Sequence, residues 1–183
     1  RIDDKHERYL NLLASVKGLE PIPTAVAHPC DVESLKGPVI AFQEGIIEPF
    51  LIGPESKIRS VAEEFGIDLH GIRIVNAKHS HDSAAMAVSM VRTGDAEALM
   101  KGSLHTDELM SEVVSRANGL RTARRISHVF VMNVPTYHRP LLITDAAINI
   151  KPTLEDKVDI IQNAIDLAHI LGIPEPKVAI LSA

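Results

Sequence analysis

Short apolar runs alternate with amphipathic stretches along almost the whole chain. Apolar runs bounded by Gly and Pro predict strands, and apolar residues spaced three and four apart predict helices. The predicted strands are TAVAHP, EPFLIGP, RIVNA and EALMKG, and a helical pattern follows each of them. This alternation is typical of parallel strands joined by crossover helices. We therefore predict an α/β fold with a mostly parallel sheet.

Capping residues and glycines mark the ends of the predicted helices. The first helix is predicted over residues 3–17, because Gly18 stands where a C-terminal capping glycine belongs. Asp31 and Thr106 stand where N-cap residues are expected. Gly37 and Pro38 predict an interruption or restart of the helix that follows Asp31.

The rhythm of the pattern changes after residue 122. ISHVFVMNV and RPLLITDAAIN are two strand patterns separated only by PTYH, which is too short for a crossover helix and predicts an antiparallel hairpin. Thr153 then caps a long predicted helix, and KVAILS is a final predicted strand. We therefore predict a first α/β domain over residues 1–122 and the N-terminal part of a second over residues 123–183.

Composition excludes several classes of function. The chain has 183 residues, 45% of them hydrophobic, which is enough for a substantial core. A net charge of −5, 3% aromatic residues and no Trp argue against nucleic acid as a partner. No apolar run approaches the roughly 18 residues of a membrane span. The single cysteine, Cys30, cannot form an internal disulfide, so we expect a cytoplasmic location. The chain begins with Arg1 and ends in an apolar run, so we expect it to be a piece of a longer polypeptide truncated at both ends.

The stretch ALMKGSLHTDEL is the first candidate site, because polar residues follow directly on a predicted strand. Ligands of open α/β sheets bind at the carboxyl ends of strands, and a helix N-terminus attracts anions. Lys101 supplies positive charge, Gly102 permits close approach of the backbone, and Ser103, His105 and Thr106 supply donors. The alternative for Thr106 is a helix cap, and for His105 an ordinary loop histidine.

The stretch GLRTARRISH is the second candidate site, at the predicted domain junction. Arg121, Arg124, Arg125 and His128 concentrate positive charge there in an otherwise acidic chain, which favours an anionic substrate. A solvated basic turn is the alternative for each arginine. Asp145 follows four apolar residues and could be a general base, a ligand-orienting group or a helix cap; Asn149 could orient a ligand or cap a helix.

Other chemistry is less well supported by the sequence. His79 and His81 have no third ligand at a recognisable spacing, so we predict no metal site. Cys30 could be an acyl-accepting nucleophile, but the neighbouring Asp31 opposes the thiolate. GxGxxG and GxxxxGKS motifs are both missing, which removes support for nicotinamide or P-loop nucleotide binding.

The chain resembles the phosphate acetyl/butyryl transferase family. The resemblance rests on ALMKGSLHTDELM, on the run from GLRTARRISH to the C-terminus, and on IPTAVAHPCDVESL and EPFLIGPESKIRSVAEE. It implies reversible transfer of a short acyl group between coenzyme A and inorganic phosphate, on a three-layer α/β/α fold like that of isocitrate and isopropylmalate dehydrogenases. It further implies a homodimer with no metal or permanently bound cofactor. The likeness is strongest to members fused to an upstream enoyl-CoA hydratase domain.

The resemblance also bears on individual residues. By the family match, Gly102, Ser103, His105, Thr106 and Ser127 face the acyl phosphate, whereas Lys101, Arg125, His128 and Asp145 are inferred from the residues themselves. Combining the two, we predict catalytic roles for Ser103, His105 and Asp145 and substrate-binding roles for a larger set: Lys101, Gly102, Thr106, Arg125, Ser127 and His128.

Departures from the family pattern shape two further expectations. Met110 and Ser111 stand where acetyl-specific members carry an arginine, and the TDAAIN and GLRT stretches resemble the butyryl branch, so this departure argues against acetyl-CoA as the preferred substrate. The family's serine–arginine pair and proposed catalytic aspartate lie beyond Ala183, so we expect these 183 residues alone to turn over poorly. The competing hypotheses are a catalytically silent acyl-CoA-binding regulatory domain and a metal-dependent dehydrogenase of the same architecture.

Overall fold

The structure, a computed structural model, describes residues 4–134 and 136–181. It divides into two compact units, one of residues 13–121 and one combining the residues up to 12 with those from 122 onward. The chain is thus α/β, with its parallel sheet in the larger unit and an antiparallel strand pair in the smaller. None of the described helices is long and apolar enough to cross a membrane.

The larger unit is built on four parallel strands. They are β1 Ile22–Ala27, β2 Ile47–Gly53, β3 Arg73–Asn76 and β4 Ala98–Lys101. Their order in the sheet is β3-β2-β1-β4, and every neighbouring pair is parallel. The predicted parallel sheet is therefore confirmed. Because β4 lies on the far side of β1 from β2, the direction of winding reverses between β1 and β4.

Helices cover both faces of this sheet. They are α2 Val32–Gln43, α3 Glu55–Phe65, α4 Ser80–Thr93 and α5 Thr106–Val113. Successive side chains of a strand point to opposite faces. Val26 of β1 accordingly packs with residues of α2 and α3, whereas Ala25 and Ala27 pack with residues of α4 and α5. The larger unit is therefore a three-layer α/β/α sandwich with one apolar cluster on each side.

The prediction of a break at Gly37 and Pro38 is wrong. Helix α2 is continuous, and Asp31 caps it by accepting a hydrogen bond from the Ser34 N–H at 2.8 Å. A proline inside a helix removes one backbone hydrogen bond. Pro38 is nevertheless buried together with Leu35, and this packing against the core compensates for the missing bond.

The prediction that Thr106 is an N-cap is also wrong. The N-cap of α5 is His105, and Thr106 is the first helical residue. The Glu108 carboxylate accepts a hydrogen bond from the His105 N–H at 2.9 Å. This reach of an N3 glutamate back to the N-cap backbone places the helix start one residue earlier than predicted.

The smaller unit contains the antiparallel hairpin that the sequence predicts. Strand β5, Phe130–Met132, pairs with β6, Leu141–Ile143, so that Phe130 lies opposite Ile143. Helix α6, Leu154–Ile170, is capped by Thr153 as predicted. Helix α1 spans Asp4–Val16, and Asp3, where the sequence pattern starts this helix, lies outside the described residues.

The predicted final strand, KVAILS, is not formed. Residues 177–181 have no strand assignment, and Ser182 lies outside the described residues. A strand is stable only when a neighbour completes its backbone hydrogen bonds. Within the described chain, no strand pairs with this segment.

Candidate functional site

The carboxyl ends of β1 and β4 lie side by side. Ala27, the last residue of β1, is in register with Lys101, the last residue of β4. His28 follows one strand, and Gly102 and Ser103 follow the other. The winding of the sheet reverses between these two strands, and open α/β sheets bind ligands at such a point. The KGSLHT stretch therefore starts at the strand ends where open α/β sheets commonly bind ligands.

Gly102 allows the two strand ends to meet. Its N–H donates to the Ala27 carbonyl oxygen at 2.8 Å. A Cβ at this position would lie 2.4 Å from that oxygen and 2.6 Å from the carbonyl oxygen of His28. Only glycine fits without moving backbone. The structure thus shows a close approach of Gly102 to the end of β1, and a close approach to a ligand stays a prediction.

Ser103 joins the same two strand ends through its backbone and its side chain. Its N–H and its hydroxyl both donate to the His28 carbonyl oxygen, each at 2.9 Å. The hydroxyl oxygen also accepts from the Cys30 N–H at 3.1 Å. The hydroxyl hydrogen is therefore committed, and one oxygen lone pair is left for another donor.

His28 is a candidate site residue that sequence reasoning missed. It is only 8% exposed, and its backbone φ of 57° lies in the left-handed region that residues other than glycine rarely adopt. Its Nδ1 lies 3.2 Å from the Ser83 hydroxyl, which itself donates to the His79 carbonyl oxygen at 2.8 Å. Because that hydroxyl has one hydrogen, Nδ1 is the donor to it, and Nε2 carries the lone pair.

The charge state of His28 follows from its surroundings. Burial, and then the positive charge of Lys57, lowers the pKa of His28. The ring is therefore neutral at neutral pH and offers an acceptor nitrogen beside the KGSLHT corner. The signal in the sequence was a histidine placed directly after the apolar residues of TAVA.

Glu108 links the N-termini of α4 and α5. Its carboxylate accepts from the Ser80 hydroxyl at 2.9 Å and from the His105 N–H at 2.9 Å. It also lies 3.2 Å from the Nε2 of His81. The hydrogen bond from His105, followed by that from Ser80, lowers the pKa of Glu108. The positive ends of both helices are thus balanced by a carboxylate of the chain itself.

The remaining polar residues of this corner differ in exposure. Lys101, His105 and Thr106 are exposed, and the Lys101 Nζ lies 3.4 Å from the Gly102 carbonyl oxygen. Burial raises the pKa of the Cys30 thiol, which keeps it protonated rather than activated. Across residues 4–134 and 136–181, no group of three or more His, Cys, Asp or Glu is placed to hold a metal ion.

In the smaller unit, Asp145 organises the turn after β6. It accepts from the His128 N–H at 2.7 Å, from the Asn149 side-chain amide at 2.7 Å and from the Asn149 N–H. Burial by itself would raise the pKa of Asp145, but these hydrogen bonds outweigh it and lower the pKa. Asp145 is therefore an ionised group whose oxygens already accept from backbone N–H groups and from the Asn149 side chain, as those of an orienting rather than a proton-accepting residue would.

Helix α6 holds the basic segment through a row of polar side chains. Asp159 accepts from the Arg125 N–H at 2.8 Å, and Asn163 donates to the Arg125 carbonyl oxygen at 2.9 Å. Asn163 also donates to the Ser127 hydroxyl at 2.8 Å, which leaves that hydroxyl hydrogen for another acceptor. Residues three and four apart share one helix face, so this polar row was a readable signal that sequence reasoning missed.

The two arginines of this segment have different partners. Arg124 makes an ion pair with Asp166 at 2.5 Å and donates to the Asn163 amide oxygen at 3.3 Å. Arg125 donates through Nε to the Asn149 amide oxygen at 2.7 Å. Its Nε also lies 3.7 Å from the Asp156 carboxylate. In the part of the chain that the structure describes, no partner is found for the terminal nitrogens of Arg125.

The predicted site residues thus form two groups, one in each unit. Lys101, Gly102, Ser103, His105 and Thr106 lie together where β4 meets α5. Arg125, Ser127, His128 and Asp145 lie together around the start of β5 and the turn after β6, and the His128 ring packs edge-on against Phe130 with centroids 4.5 Å apart. Arg121, named with them in the sequence, is an exposed residue of the larger unit.

Comparisons with known proteins agree on one family. The sequence model of the family described as phosphate acetyl/butaryl transferase matches residues 77–183. The chain is 55% identical over 182 residues to a phosphate acetyltransferase of Rickettsia prowazekii, covering 99% of this chain and 52% of that protein. It is 36% identical over 172 residues to a phosphate butyryltransferase of Clostridium acetobutylicum, covering 94% and 57%.

A solved structure agrees with these relatives. A branched-chain phosphotransacylase from Enterococcus faecalis superposes with a TM-score of 0.69 at 28% identity, covering 88% of this chain and 56% of that one. The chain therefore spans about half the length of the relatives that it matches.

Proposed function

Because the chain belongs to the phosphate acetyl/butyryl transferase family, we propose that its protein transfers a short acyl group reversibly between coenzyme A and inorganic phosphate. The observation that carries the proposal is the 55% identity over 182 residues to a phosphate acetyltransferase. Acetyl and butyryl groups are the proposed substrates, since relatives of both kinds match.

The chemistry sets what the site must supply. A phosphate oxygen attacks the thioester carbonyl, the C–S bond breaks, and the coenzyme A thiolate leaves, so that acyl phosphate is formed. Negative charge builds up on the carbonyl oxygen and is carried by the phosphate throughout. Fixed cationic groups and N–H or O–H donors lower the barrier of such a step.

We assign binding roles from the available donors. Lys101 and Arg125 supply positive charge, and both side chains are exposed. Ser127 keeps a hydroxyl hydrogen that it can donate, because its oxygen accepts from Asn163. Gly102, Thr106 and His128 complete the proposed substrate-binding set.

Of the three residues predicted to be catalytic, His105 and Ser103 are proposed to meet the substrate, and Asp145 is proposed to act as a positioning residue. His105 is exposed at the start of α5 and is the proposed proton donor to the leaving thiolate. The Ser103 hydroxyl holds the corner of the site while its free lone pair meets a substrate donor. We propose that Asp145 acts by orienting its turn, since its oxygens already accept three hydrogen bonds.

The test is phosphate-dependent release of coenzyme A thiol by the full-length protein, with acetyl-CoA and butyryl-CoA as substrates. We expect release with at least one of them, and a loss of at least tenfold in Arg125→Ala and in Ser103→Ala. Arg92→Ala is the matched control. Arg92 is also an exposed arginine, but it lies in the last turn of α4, at the opposite end of that helix from Ser80 and Glu108. Binding of coenzyme A without any thiol release would instead favour the regulatory acyl-CoA-binding domain.

The proposal extends to the setting of the enzyme. The family resemblance supports a homodimer, with acyl-CoA and phosphate as substrates and no permanently bound cofactor or metal. It also supports an enoyl-CoA hydratase domain fused upstream, and the single cysteine supports a cytoplasmic location. Light scattering of the full-length protein tests the dimer.

A further inference from the structure

We propose that Asn149 is a positioning residue that presents the guanidinium of Arg125 to a phosphate group, and that Asp145 fixes Asn149 for this task. The inference rests on the proposed function, because it explains how the same anion site is built. It also gives a structural basis for assigning the anion to Arg125 rather than to Arg124, whose partners are different.

The orientation of the Asn149 amide is determined by its partners. Its nitrogen donates to the Asp145 carboxylate at 2.7 Å and to the Ile126 carbonyl oxygen at 3.0 Å. Both partners can only accept, so the amide nitrogen must face them. The amide oxygen is therefore the atom that meets Arg125, and it accepts from the Arg125 Nε at 2.7 Å.

This contact fixes one edge of the Arg125 guanidinium. Among the described residues, only Nε is engaged, by Asn149 at 2.7 Å and by Asp156 at 3.7 Å. The two terminal nitrogens carry four further N–H donors in a planar fork that matches a phosphate oxygen pair. The side chain is 52% exposed, so the fork can be reached by a small anion.

Arg124 provides the contrast within the same segment. One of its terminal nitrogens is already held by Asp166 and Asn163. A terminal nitrogen held by α6 side chains stabilises the packing of the segment on α6. An arginine held only at Nε, by contrast, keeps both terminal nitrogens available for a ligand. The structure thus assigns phosphate recognition to Arg125 and a structural role to Arg124.

The experiment compares Asn149→Ala with wild type in the full-length protein, using the thiol-release assay. We expect the KM for inorganic phosphate to rise about tenfold while kcat falls less than about threefold. Arg125→Lys keeps the charge but loses the fork, and we expect a similar rise. The double variant should be no worse than Arg125→Lys alone, because Asn149 acts through Arg125.

Asp166→Asn is the matched control. It weakens the Arg124 ion pair, so it should lower the thermal midpoint without changing the KM for phosphate. A merely structural role for Asn149 would give that same pattern. Arg125→Lys alters a half-exposed side chain, so it keeps the inference testable if Asn149→Ala does not fold.

The phosphate group could belong to inorganic phosphate or to coenzyme A. The KM for acetyl-CoA is therefore measured alongside, and again with acetyl-dephospho-CoA. A rise confined to inorganic phosphate places the attacking phosphate on Arg125, and a rise confined to acetyl-CoA that disappears with the dephospho form places the 3′-phosphate there.

Failure of the two proposals can be told apart. Wild-type protein that releases no thiol overturns the proposed function and this inference together. Active wild-type protein with both KM values unchanged in Asn149→Ala and Arg125→Lys overturns the inference alone. Additive effects in the double variant would also contradict it, because Asn149 would then act independently of Arg125.

Discussion

Gly102 stands where two strand ends come closest, and the space of its missing side chain is occupied by backbone. The carbonyl oxygens of Ala27 and His28 fill that space, and the Gly102 N–H donates to one of them. Ser103 then adds a side-chain bond to the same β1 end. The candidate site of the larger unit is therefore first of all a joint between strands.

We expect Gly102→Ala to destabilise the larger unit by about 2–4 kcal/mol, because a Cβ 2.4 Å from a carbonyl oxygen forces the backbone apart. Urea unfolding followed by circular dichroism measures the loss.

The matched control for this prediction is Gly37→Ala. Gly37 lies inside α2, and a Cβ added there would meet nothing within 4 Å beyond its chain neighbours and its own helix backbone. Alanine favours the helix over glycine, but the following Pro38 disfavours helical backbone in a residue that has a Cβ, so this change should alter stability by less than about 1 kcal/mol. Equal stability of the two variants would contradict the close approach at Gly102.

Individual residues were only partly predictable from the sequence. Gly102 and Ser103 were singled out, because glycine and serine after an apolar strand are unusual, but their partners on β1 were not. His28 was missed, since a histidine directly after an apolar strand is a weak local signal that does not show what the ring will contact. Its importance comes from burial and from Ser83, 55 residues away along the chain.

At the scale of a single element, the N-terminus of helix α2 is capped by one carboxylate, that of Asp31. Asp31 accepts from the Ser34 N–H at 2.8 Å, and the Asp31 N–H donates to the Ser34 hydroxyl at 3.4 Å. The hydrogen bonds from the Ser34 side chain and backbone lower the pKa of Asp31. The carboxylate form is therefore favoured in the folded state.

We expect Asp31→Ala to lower the free energy of unfolding by about 1 kcal/mol at neutral pH, as loss of an N-cap does. The folded pKa lies below the unfolded one, so the charge-dependent part of this stability is present above about pH 4 and is lost as the pH falls through the folded pKa.

Asp31→Asn separates the hydrogen bond from the charge. It keeps an acceptor for the Ser34 N–H, so it should retain most of the stability at neutral pH, and its difference from wild type should shrink on acidification. Guanidinium unfolding at about pH 7 and about pH 3 measures both differences. A wild-type advantage over Asp31→Asn that grows at the acidic pH would contradict the lowered pKa.

At this scale the sequence was informative about type and order of elements but less so about their limits. The hairpin and the caps at Asp31 and Thr153 were confirmed. The break at Pro38 was wrong, because burial outweighs the local cost of proline in that helix. The strand predicted near the C-terminus was wrong because a strand also needs a neighbour, which its own pattern does not reveal.

At the scale of the whole chain, the described residues form two units, and the apolar clusters lie in the larger one. Both apolar clusters on the parallel sheet are formed by residues between 25 and 120, all within the larger unit. The hairpin of the smaller unit leaves large apolar side chains at the surface, including Phe130 at 49% and Ile143 at 46% exposure. The predicted division into a first domain of residues 1–122 and part of a second of residues 123–183 stays a prediction.

We expect residues 13–121, expressed alone, to fold and to unfold cooperatively, because the sheet and both of its clusters lie within this unit. Circular dichroism and urea unfolding test this. The Gly102→Ala variant of the same segment is the control, and it should unfold at lower urea. A segment without a cooperative transition would contradict the independence of this core.

The sequence by itself determined the order and type of most elements and the family resemblance, because apolar periodicity, caps and glycines act between near neighbours along the chain. Tertiary structure alone decided which polar groups that are distant along the chain share hydrogen bonds. Ser103 meets Cys30 across 73 residues, Arg124 meets Asp166 across 42, and Arg125 meets Asn149 across 24. These choices depend on where the folded backbone brings donors and acceptors together, and no local pattern contains that information.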